Sequence, residues 1–206
     1  NPDGSIIYQW NDGSGHTRHA SQGTTANAPD YLKGASALNG KGIIGFPMSS
    51  STFDLAPVNG VQTIFAIFLQ DGFAAQTKMF GGDLVTTAAN GNIALQREGG
   101  AGLIESSVSS SSFHLATWQG QAGSYELFVD GQSSGSGSDP QALGGLTKVG
   151  NDLVGRLAEI VAYDSALPAA DRQKIEGYLA HKWGLVDQLP SNHPYKVLMP
   201  AFGGPQ

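Results

Sequence analysis

The stretch RLAEIVAYDSALPAADRQKIEGYLAHKWGL, residues 156–185, decides the fold. Its first part, Leu157 to Tyr163, is largely apolar on both alternating faces, which predicts a buried strand. Pro168 then stands where a helix favours its first residue. Gly184 is placed to end that helix in a left-handed conformation. We therefore predict a strand followed by one helix over about residues 169–183.

The predicted helix carries one apolar stripe. Ile175, Leu179 and Trp183 recur every four residues, so they share one side of a helix. Arg172 and Glu176 fall mostly off this stripe. Since the rest of the chain offers only strands, we expect the stripe to be buried against a sheet edge or the end of a sandwich. The helix would then close the sandwich as a structural lid.

Composition limits the classes of protein that the chain can belong to. A chain of 206 residues can bury one sizeable core, and 29 glycines with only 14% charged residues predict short strands joined by tight turns. The net charge of −6 argues against nucleic acid as a partner, and no apolar run is long enough for membrane insertion. Without cysteine there is no disulfide and no thiolate metal site, which is compatible with an extracellular protein. Because the sequence starts at Asn1 without a signal peptide, we expect a processed product or a fragment.

The remaining chain predicts about twelve short strands and no other helix. The strongest is Thr63 to Leu69, which is apolar on both faces and is expected at the centre of a sheet covered on both sides. Asp130-Gly131 predicts a type I′ hairpin turn. Residues 106–112 are expected to form a loop or exposed edge, and residues 134–139 a short flexible segment.

This order of elements favours an all-β fold, an antiparallel sandwich of two sheets with one C-terminal helix. A parallel sheet would need helices between its strands, and none is predicted. We expect a single domain over residues 1–206, with residues 197–206 as a loose tail.

Three motifs resemble those of a known superfamily. The stretch from LAEIVAYD to HKWGL, followed by LPSNHPY at 189–195, resembles the C-terminal signature of laminin-G-like, concanavalin A-like lectin/glucanase domains. WNDGSG at 10–15 looks like the early turn of the family, and YELFVDG at 125–131 looks like its late hairpin. The resemblance covers nearly the whole chain and implies a jelly-roll β-sandwich of the kind found in bacterial surface, adhesin and phage-associated proteins.

The chain departs from the family pattern in two places. The family usually has one more strand before the early turn, and only Asn1 to Ser5 precede Ile6 here. From the resemblance, we expect that first strand to be missing, cleaved or supplied by a neighbouring chain. Pro168 also stands where a serine cap is usual, so the start of the helix is expected to differ.

Glycosidases share this fold, but the sequence does not favour catalysis. The laminarinase-type enzymes carry both carboxylates on one strand as Glu-x-Asp-x-x-Glu, a motif that is missing from this chain. Its glutamates, among them Glu105 and Glu176, stand on separate elements. We therefore do not expect an enzyme.

The sequence favours calcium binding over catalysis. Lectin-like sandwiches hold Ca²⁺ at the rim through hard oxygen ligands. Asp12, Asp83 and Asp152 are the acidic residues expected there. Each also lies beside glycine or in a turn, where aspartate belongs without any metal. The pair His16 and His19 could suggest a transition metal, but no third ligand stands nearby.

A sugar site needs an aromatic platform and polar groups. Trp118 precedes a Gln-Gly-Gln-Ala-Gly loop and could be exposed at the rim, with Asp71 and Asp83 supplying polar contacts. The alternative, that Trp118 fills the core, is favoured because large aromatics dominate core packing. Trp183 is expected to anchor the helix.

Two functions remain open at this point. The first is a non-catalytic, lectin-like binding or adhesion module that recognises carbohydrate or another surface polymer through rim loops. The second is a structural virion or cell-surface decoration or fibre protein, which uses the sandwich to assemble with neighbouring subunits or within a larger multidomain protein. Both imply a location outside the cell, on a cell surface or on a virion.

Overall fold

The computed structural model describes residues 2–34, 38–71, 77–82, 84–87, 92–97, 104–108, 112–121, 123–138 and 143–201. Within these ranges lie fifteen strands and one α-helix, α1 (Ala169–Trp183). The strands are β1 (Ser5–Ile6), β2 (Gln9–Trp10), β3 (Ala20–Ser21), β4 (Asp30–Leu32), β5 (Ile43–Phe46), β6 (Phe53–Val61), β7 (Thr63–Gln70), β8 (Leu84–Thr87), β9 (Ile93–Arg97), β10 (Ile104–Ser106), β11 (His114–Gln121), β12 (Ser124–Val129), β13 (Gln132–Gly137), β14 (Gly144–Val149) and β15 (Gly155–Tyr163).

The strands form one large sheet and two small ones. The large sheet has the order β1-β4-β5-β15-β7-β11-β12-β13, and the small sheets have the orders β14-β6-β3-β2 and β10-β9-β8. The strand pairs among the described residues are antiparallel. The prediction of an antiparallel β-sandwich with one C-terminal helix is confirmed. The short first strand, β1, lies at the outer edge of the large sheet.

Strand β7 is buried on both faces, as its sequence predicts. Every residue from Thr63 to Gln70 is buried, and β7 lies between β15 and β11. Phe68 and its alternating neighbours face a core shared with the two small sheets. Phe65 and its neighbours face a second core, which they share with α1. The large sheet is therefore the middle layer of the molecule.

The helix covers a face of the large sheet, so the expectation that it packs at a sheet edge or sandwich end is wrong. The stripe of Ile175, Leu179 and Trp183 is buried, as predicted, but it joins a core with Phe65 and Leu115 from the middle strands. The reason is that this outer face is itself apolar and must be covered. The Trp183 indole N–H also donates to the Glu159 carboxylate on β15.

The ends of the helix follow the sequence signals closely. Pro168 lies one residue before the helix rather than at its first position, and its carbonyl accepts hydrogen bonds from the amides of Asp171 and Arg172, both at 3.0 Å. Gly184 adopts the left-handed conformation, with φ of 73°. The Leu185 amide then donates to the Ala180 carbonyl at 2.8 Å, which satisfies a carbonyl at the helix end.

A second, polar face of the helix is also buried, which the single apolar stripe did not predict. Arg172 and Glu176 are 6% and 0% exposed. An Arg172 nitrogen donates to Glu176 Oε1 at 2.6 Å, and the Thr117 hydroxyl of β11 donates to the same oxygen at 3.2 Å. The Arg172 guanidinium lies 3.5 Å from the centre of the Phe128 ring, a cation–π contact. These partners explain how a charged pair can be buried.

The Ser/Gly-rich segment after the hairpin turn is a strand, so its prediction as a flexible segment is wrong for residues 134–137. These residues belong to β13, which pairs with β12 and forms one edge of the large sheet. Pairing with β12 supplies the order that glycine and serine lack by themselves. Of the predicted loose tail, Val197, Leu198 and Met199 are exposed, and residues 202–206 lie outside the described residues.

No helix in the described part of the chain is long and apolar enough to cross a membrane.

The helix stripe can be tested by truncating Leu179, which is 1% exposed. We expect Leu179→Ala to lower the free energy of unfolding by about 2–5 kcal/mol, because it leaves a cavity between α1 and the sheet. Val197→Ala, at a position 83% exposed, is the control and should change it by less than about 0.5 kcal/mol. Urea denaturation measures both, and equal effects of the two changes would contradict the packing described here.

The buried ion pair gives a second stability test. Glu176→Ala leaves the Arg172 charge buried without its carboxylate, and we expect it to cost about 3–5 kcal/mol. Replacing both residues, as Arg172→Met with Glu176→Leu, should destabilise less than Glu176→Ala alone, because no charge is stranded. Chemical denaturation of the unmodified chain and of the two variants measures these effects. A double variant that is less stable than Glu176→Ala would contradict this account of the ion pair.

Candidate functional site

An open groove of about 440 Å³ lies where the large sheet and the three-stranded sheet come to an end beside each other. One wall is the end of β10, and the other is the hairpin that joins β12 to β13. All lining residues except Val129 are polar: Glu105, Ser106, Ser107, Asp130, Gln132, Ser133, Ser134 and Gln188. The volume falls within the range of small-molecule sites.

The hairpin wall is shaped by its turn. Asp130 and Gly131 both have left-handed backbones, with φ of 52° and 78°, as a type I′ turn requires. The turn prediction from Asp-Gly is therefore confirmed. This turn directs Gln132, Ser133 and Ser134 along the groove as β13 begins.

The Asp130 side chain fixes the hairpin to the neighbouring strand. Its Oδ1 accepts the Leu115 amide at 2.9 Å, and its Oδ2 lies 2.7 Å from His114 Nδ1. The Asp130 amide also donates to the Leu115 carbonyl at 2.7 Å. Because all three contacts go to β11, the groove wall is held rigidly. The sequence explained Asp130 by the turn alone and did not predict this second role.

The floor beside the turn comes from the C-terminal coil. A Cβ placed at Gly131 would lie 3.1 Å from both His193 and Leu189, so the turn packs directly on this coil. His193 is 6% exposed, and its Nε2 lies 3.5 Å from Glu176 Oε2 on the helix. The coil therefore connects the groove to the buried polar face of α1.

Gln188 lines the groove, but its side-chain acceptor is buried. It lies in a short 3-10 helix, Val186–Gln188, between α1 and the coil. Its Oε1 is buried, and no hydrogen-bond donor reaches it from the described residues. A buried acceptor without a donor is unfavourable.

The opposite wall is held by β9 and β13. Asn92, which precedes β9, donates through Nδ2 to Glu105 Oε2 at 2.9 Å. Ile104 lies against β13, since a Cβ at Gly135 would come within 3.2 Å of it. These contacts keep the two walls together at one end of the groove.

Trp118, the predicted aromatic platform, lies in the core and away from any rim. It is 0% exposed, its indole N–H donates to the Ala94 carbonyl at 2.7 Å, and its ring packs edge-on against Phe80. A side chain with no exposed surface cannot stack on a sugar, so its assignment as a ligand residue is wrong. The small sheet built from β8, β9 and β10 covers the face on which Trp118 lies.

Asp71, the other predicted ligand residue among the described residues, does not line the groove. Asp71 is exposed after the end of β7, and its carboxylate lies 3.2 Å from Arg156. Asp83 lies outside the described residues. The groove residues were missed because they come from three distant parts of the chain and form no motif.

The predicted calcium residues do not come together among the described residues. Asp12 accepts the Ser14 amide at 2.8 Å and the Arg18 amide at 3.0 Å, so both of its oxygens hold their own loop. Asp152 is exposed and accepts a bond from Asn151. The part of the chain that the structure describes has no group of three acidic, histidine or cysteine residues suited to a metal. Because Asp83 lies outside the described residues, calcium binding stays a prediction from the sequence.

The two histidines of the Asp12 loop, His16 and His19, also form hydrogen bonds within this loop. His19 Nδ1 accepts the Asp12 amide at 3.0 Å, and His16 Nδ1 lies 3.0 Å from the Ser14 hydroxyl. Each ring thus has a local partner, which accounts for both residues without a transition metal.

A second, smaller groove of about 310 Å³ lies between β15 and the helix. It is lined by Val161, Tyr163, Ile175, Tyr178 and Leu179, so it is largely apolar. Burial raises the pKa of Tyr163. This groove offers two aromatic rings but few groups that could bind a polar ligand, which makes it the weaker of the two sites.

Comparisons with known proteins support the fold. No protein-family model and no curated protein sequence matches the chain. Among solved structures, the chain is similar to the binding domain of Paraclostridial Mosquitocidal Protein 1, with a TM-score of 0.57 and 12% identity over 84% of this chain. The match spans 52% of that structure, about half its length.

Two further structures are more distantly similar. Domain 4 of AbnA, a GH43 extracellular arabinanase from Geobacillus stearothermophilus, in complex with arabinotriose, has a TM-score of 0.46 and 16% identity, covering 81% of this chain and 84% of that one. The Ruminococcus gnavus IT-sialidase CBM40 bound to alpha2,3 sialyllactose has a TM-score of 0.40 and 11% identity, covering 82% and 94%. At 12% identity, the similarity to the binding domain of Paraclostridial Mosquitocidal Protein 1 shows a shared fold alone.

The loop at Asp12 gives a pH test. Hydrogen bonds from the Ser14 side chain and from the amides of Ser14 and Arg18 lower the pKa of Asp12 to about 2. Since this lies below the unfolded value of about 3.9, the loop contacts stabilise the fold above about pH 4 and are lost as the pH falls through about 2. NMR titration of the Asp12 carboxyl should give the low midpoint, and Ser14→Ala should raise it. A midpoint near 4 in the unmodified chain would contradict these contacts.

Proposed function

We propose that the chain is a non-catalytic, lectin-like module that binds glycan in the groove between β10 and the β12–β13 hairpin. The observation that carries this proposal is the chemistry of the walls. Serine hydroxyls both donate and accept, glutamine amides do the same at separate atoms, and carboxylates accept. Sugar hydroxyls need this mixture, because each one donates and accepts a hydrogen bond.

Rigidity of the walls supports binding. Asp130 ties the hairpin to β11, and Asn92 holds Glu105 on the facing wall. A site that is already ordered loses less conformational entropy when a ligand binds. The ligand would therefore meet a prepared row of polar groups.

The two carboxylates of the groove are better suited to binding than to catalysis. A retaining glycosidase needs one carboxylate as a nucleophile and another as an acid, about 5 Å apart. Here both oxygens of Asp130 hold the hairpin, and Glu105 is bound by Asn92. Each is engaged in supporting the walls, which is why we propose a module without hydrolytic activity.

The family resemblance and the fold point in the same direction. The signature at residues 156–195 resembles laminin-G-like, concanavalin A-like domains. The solved structure with the TM-score of 0.57 is itself described as the binding domain of a mosquitocidal protein. We propose an extracellular or surface location on these grounds, with carbohydrate or a related surface polymer as the partner.

The proposal is tested by blocking the groove. The exposed residue Ser133 lines it, whereas Ser136 is exposed on the same strand but does not line it. We expect the unmodified chain to bind a defined set of glycans on an array. Ser133→Trp should weaken that binding by about tenfold or more because the indole fills the groove, whereas Ser136→Trp should leave it unchanged.

A further variant tests the rival site. Tyr178→Ala opens the smaller groove and should not affect glycan binding. Binding that is lost in Tyr178→Ala but kept in Ser133→Trp would move the site to the helix groove and contradict the proposal. Thermal unfolding of each variant confirms that the chain is folded.

The structural alternative makes a different prediction in the same experiment. Val197, Leu198 and Met199 are exposed apolar residues, and a surface or virion protein would bury such residues between subunits. A chain that binds no glycan and elutes as an oligomer in size-exclusion chromatography would favour this assembly role over the glycan module.

A further inference from the structure

We infer that the groove selects glycans that carry no negative charge, and that among these it binds amine-bearing sugars most tightly. The inference rests on the proposed function, since it names the class of glycan that this same groove would accept. It follows from the charges of the residues that form the groove and from the partners of the cations around it.

The described residues that line the groove include two carboxylates and no cation. Glu105 stands on the β10 wall and Asp130 on the hairpin wall, with serines and glutamines elsewhere. An anionic sugar placed between these walls would meet two charges of its own sign. Like charges brought together across an interface oppose binding and are a common means of excluding a partner.

Two cations near the groove, among the described residues, are engaged elsewhere. The Lys196 ammonium lies near the 3-10 helix that carries Gln188, but it donates to the carbonyls of Asp187 and Leu189, at 2.8 and 2.6 Å. Arg172, behind the hairpin, is bound to Glu176 and stacked on Phe128. Neither is free to pair with a carboxylate or sulfate of a ligand without breaking these contacts.

His114 lies beside the Asp130 carboxylate but does not line the groove. Its Nδ1 lies 2.7 Å from Asp130 Oδ2, and its side chain is only 13% exposed. The ring is therefore held against β11 by the carboxylate of Asp130. Its position behind that carboxylate leaves the Asp130 oxygens as the charged atoms nearest to the groove.

An amine suits the same walls. An ammonium group donates up to three hydrogen bonds, and charge-assisted bonds to carboxylates are stronger than neutral ones. Each oxygen of Asp130 has one described partner and can accept a second bond. A sugar amine between Asp130 and Glu105 would thus replace repulsion by attraction, while neutral sugars would rely on the serines and glutamines.

The test compares glycans that differ only in charge. The probes are a β1,4-linked glucosamine trisaccharide with free amines, its N-acetylated form and its N-sulfated form, together with an array of neutral, amine-bearing and acidic glycans. We expect the groove-dependent binding, defined as that lost in Ser133→Trp, to fall on uncharged and amine-bearing glycans. Their acidic counterparts should bind about tenfold more weakly or not at all.

Two substitutions test the charges themselves. Glu105→Gln should reduce the preference for amines over neutral sugars by about threefold or more, and Glu126→Gln, on β12 outside the groove, is its control. Gln132→Lys, at an exposed position on the hairpin wall, should raise the affinity for acidic glycans. This second variant keeps the test decisive if Glu105→Gln does not fold.

The outcomes distinguish a failure of the charge selectivity from a failure of the proposed function. Groove-dependent binding that favours acidic glycans would overturn the charge selectivity and leave the glycan module standing. If Ser133→Trp weakens the binding of no glycan, the proposed function is overturned, and the charge selectivity with it. Lower ionic strength should enlarge the preference for amines, because salt screens charges at this open site.

Discussion

The structure depends on one strand that is buried on both faces. All eight residues of β7 are buried, so each side of the large sheet must be covered by something apolar. The two small sheets cover one side and the helix covers the other. This double requirement explains why a single late helix decides the fold. Without α1, the outer face around Phe65 would lie open to water.

Covering that second face has a consequence for the groove. The helix brings Glu176 and Arg172 against β11 and β12, where they contact Thr117 and Phe128. The coil that follows the helix then returns to the hairpin turn and places His193 beneath Gly131. The groove wall is thus supported from the strand side by Asp130 and from the helix side by the coil. The lid and the proposed binding site are parts of one connected arrangement.

The sequence predicts those features that are encoded locally. The four-residue spacing of Ile175, Leu179 and Trp183 predicts the buried stripe, and Gly184 predicts the end of the helix. The Asp-Gly pair at 130–131 predicts the hairpin turn, because few other residues adopt two left-handed conformations in succession.

Features that depend on tertiary pairing could not be predicted in the same way. The alternation around Trp118 does not tell which face a second sheet will cover, so its burial is decided by the strands from Leu84 to Ser106. Glycine and serine favour no strand by themselves, and residues 134–137 are extended because β12 pairs with them. Arg172 and Glu176 resemble surface residues until Thr117 is placed opposite them.

The binding site is the clearest case of this limit. Glu105, Asp130 and Gln188 are far apart along the chain, and only the fold brings them to one groove. Glu105 lies in a strand, Asp130 in a turn and Gln188 in a 3-10 helix, so each has a structural explanation that needs no ligand. A search for motifs therefore names Asp71 and Asp83 and misses the groove.

The central claim is that ligand binds between the end of β10 and the β12–β13 hairpin. It is tested most directly by mapping NMR chemical-shift changes as a bound glycan is added to the labelled chain. The account predicts that the changes centre on residues 105–107, residues 130–134 and the side-chain amide of Gln188. Changes centred on Tyr163 and Tyr178 in the helix groove, with residues 130–134 unaffected, would contradict it.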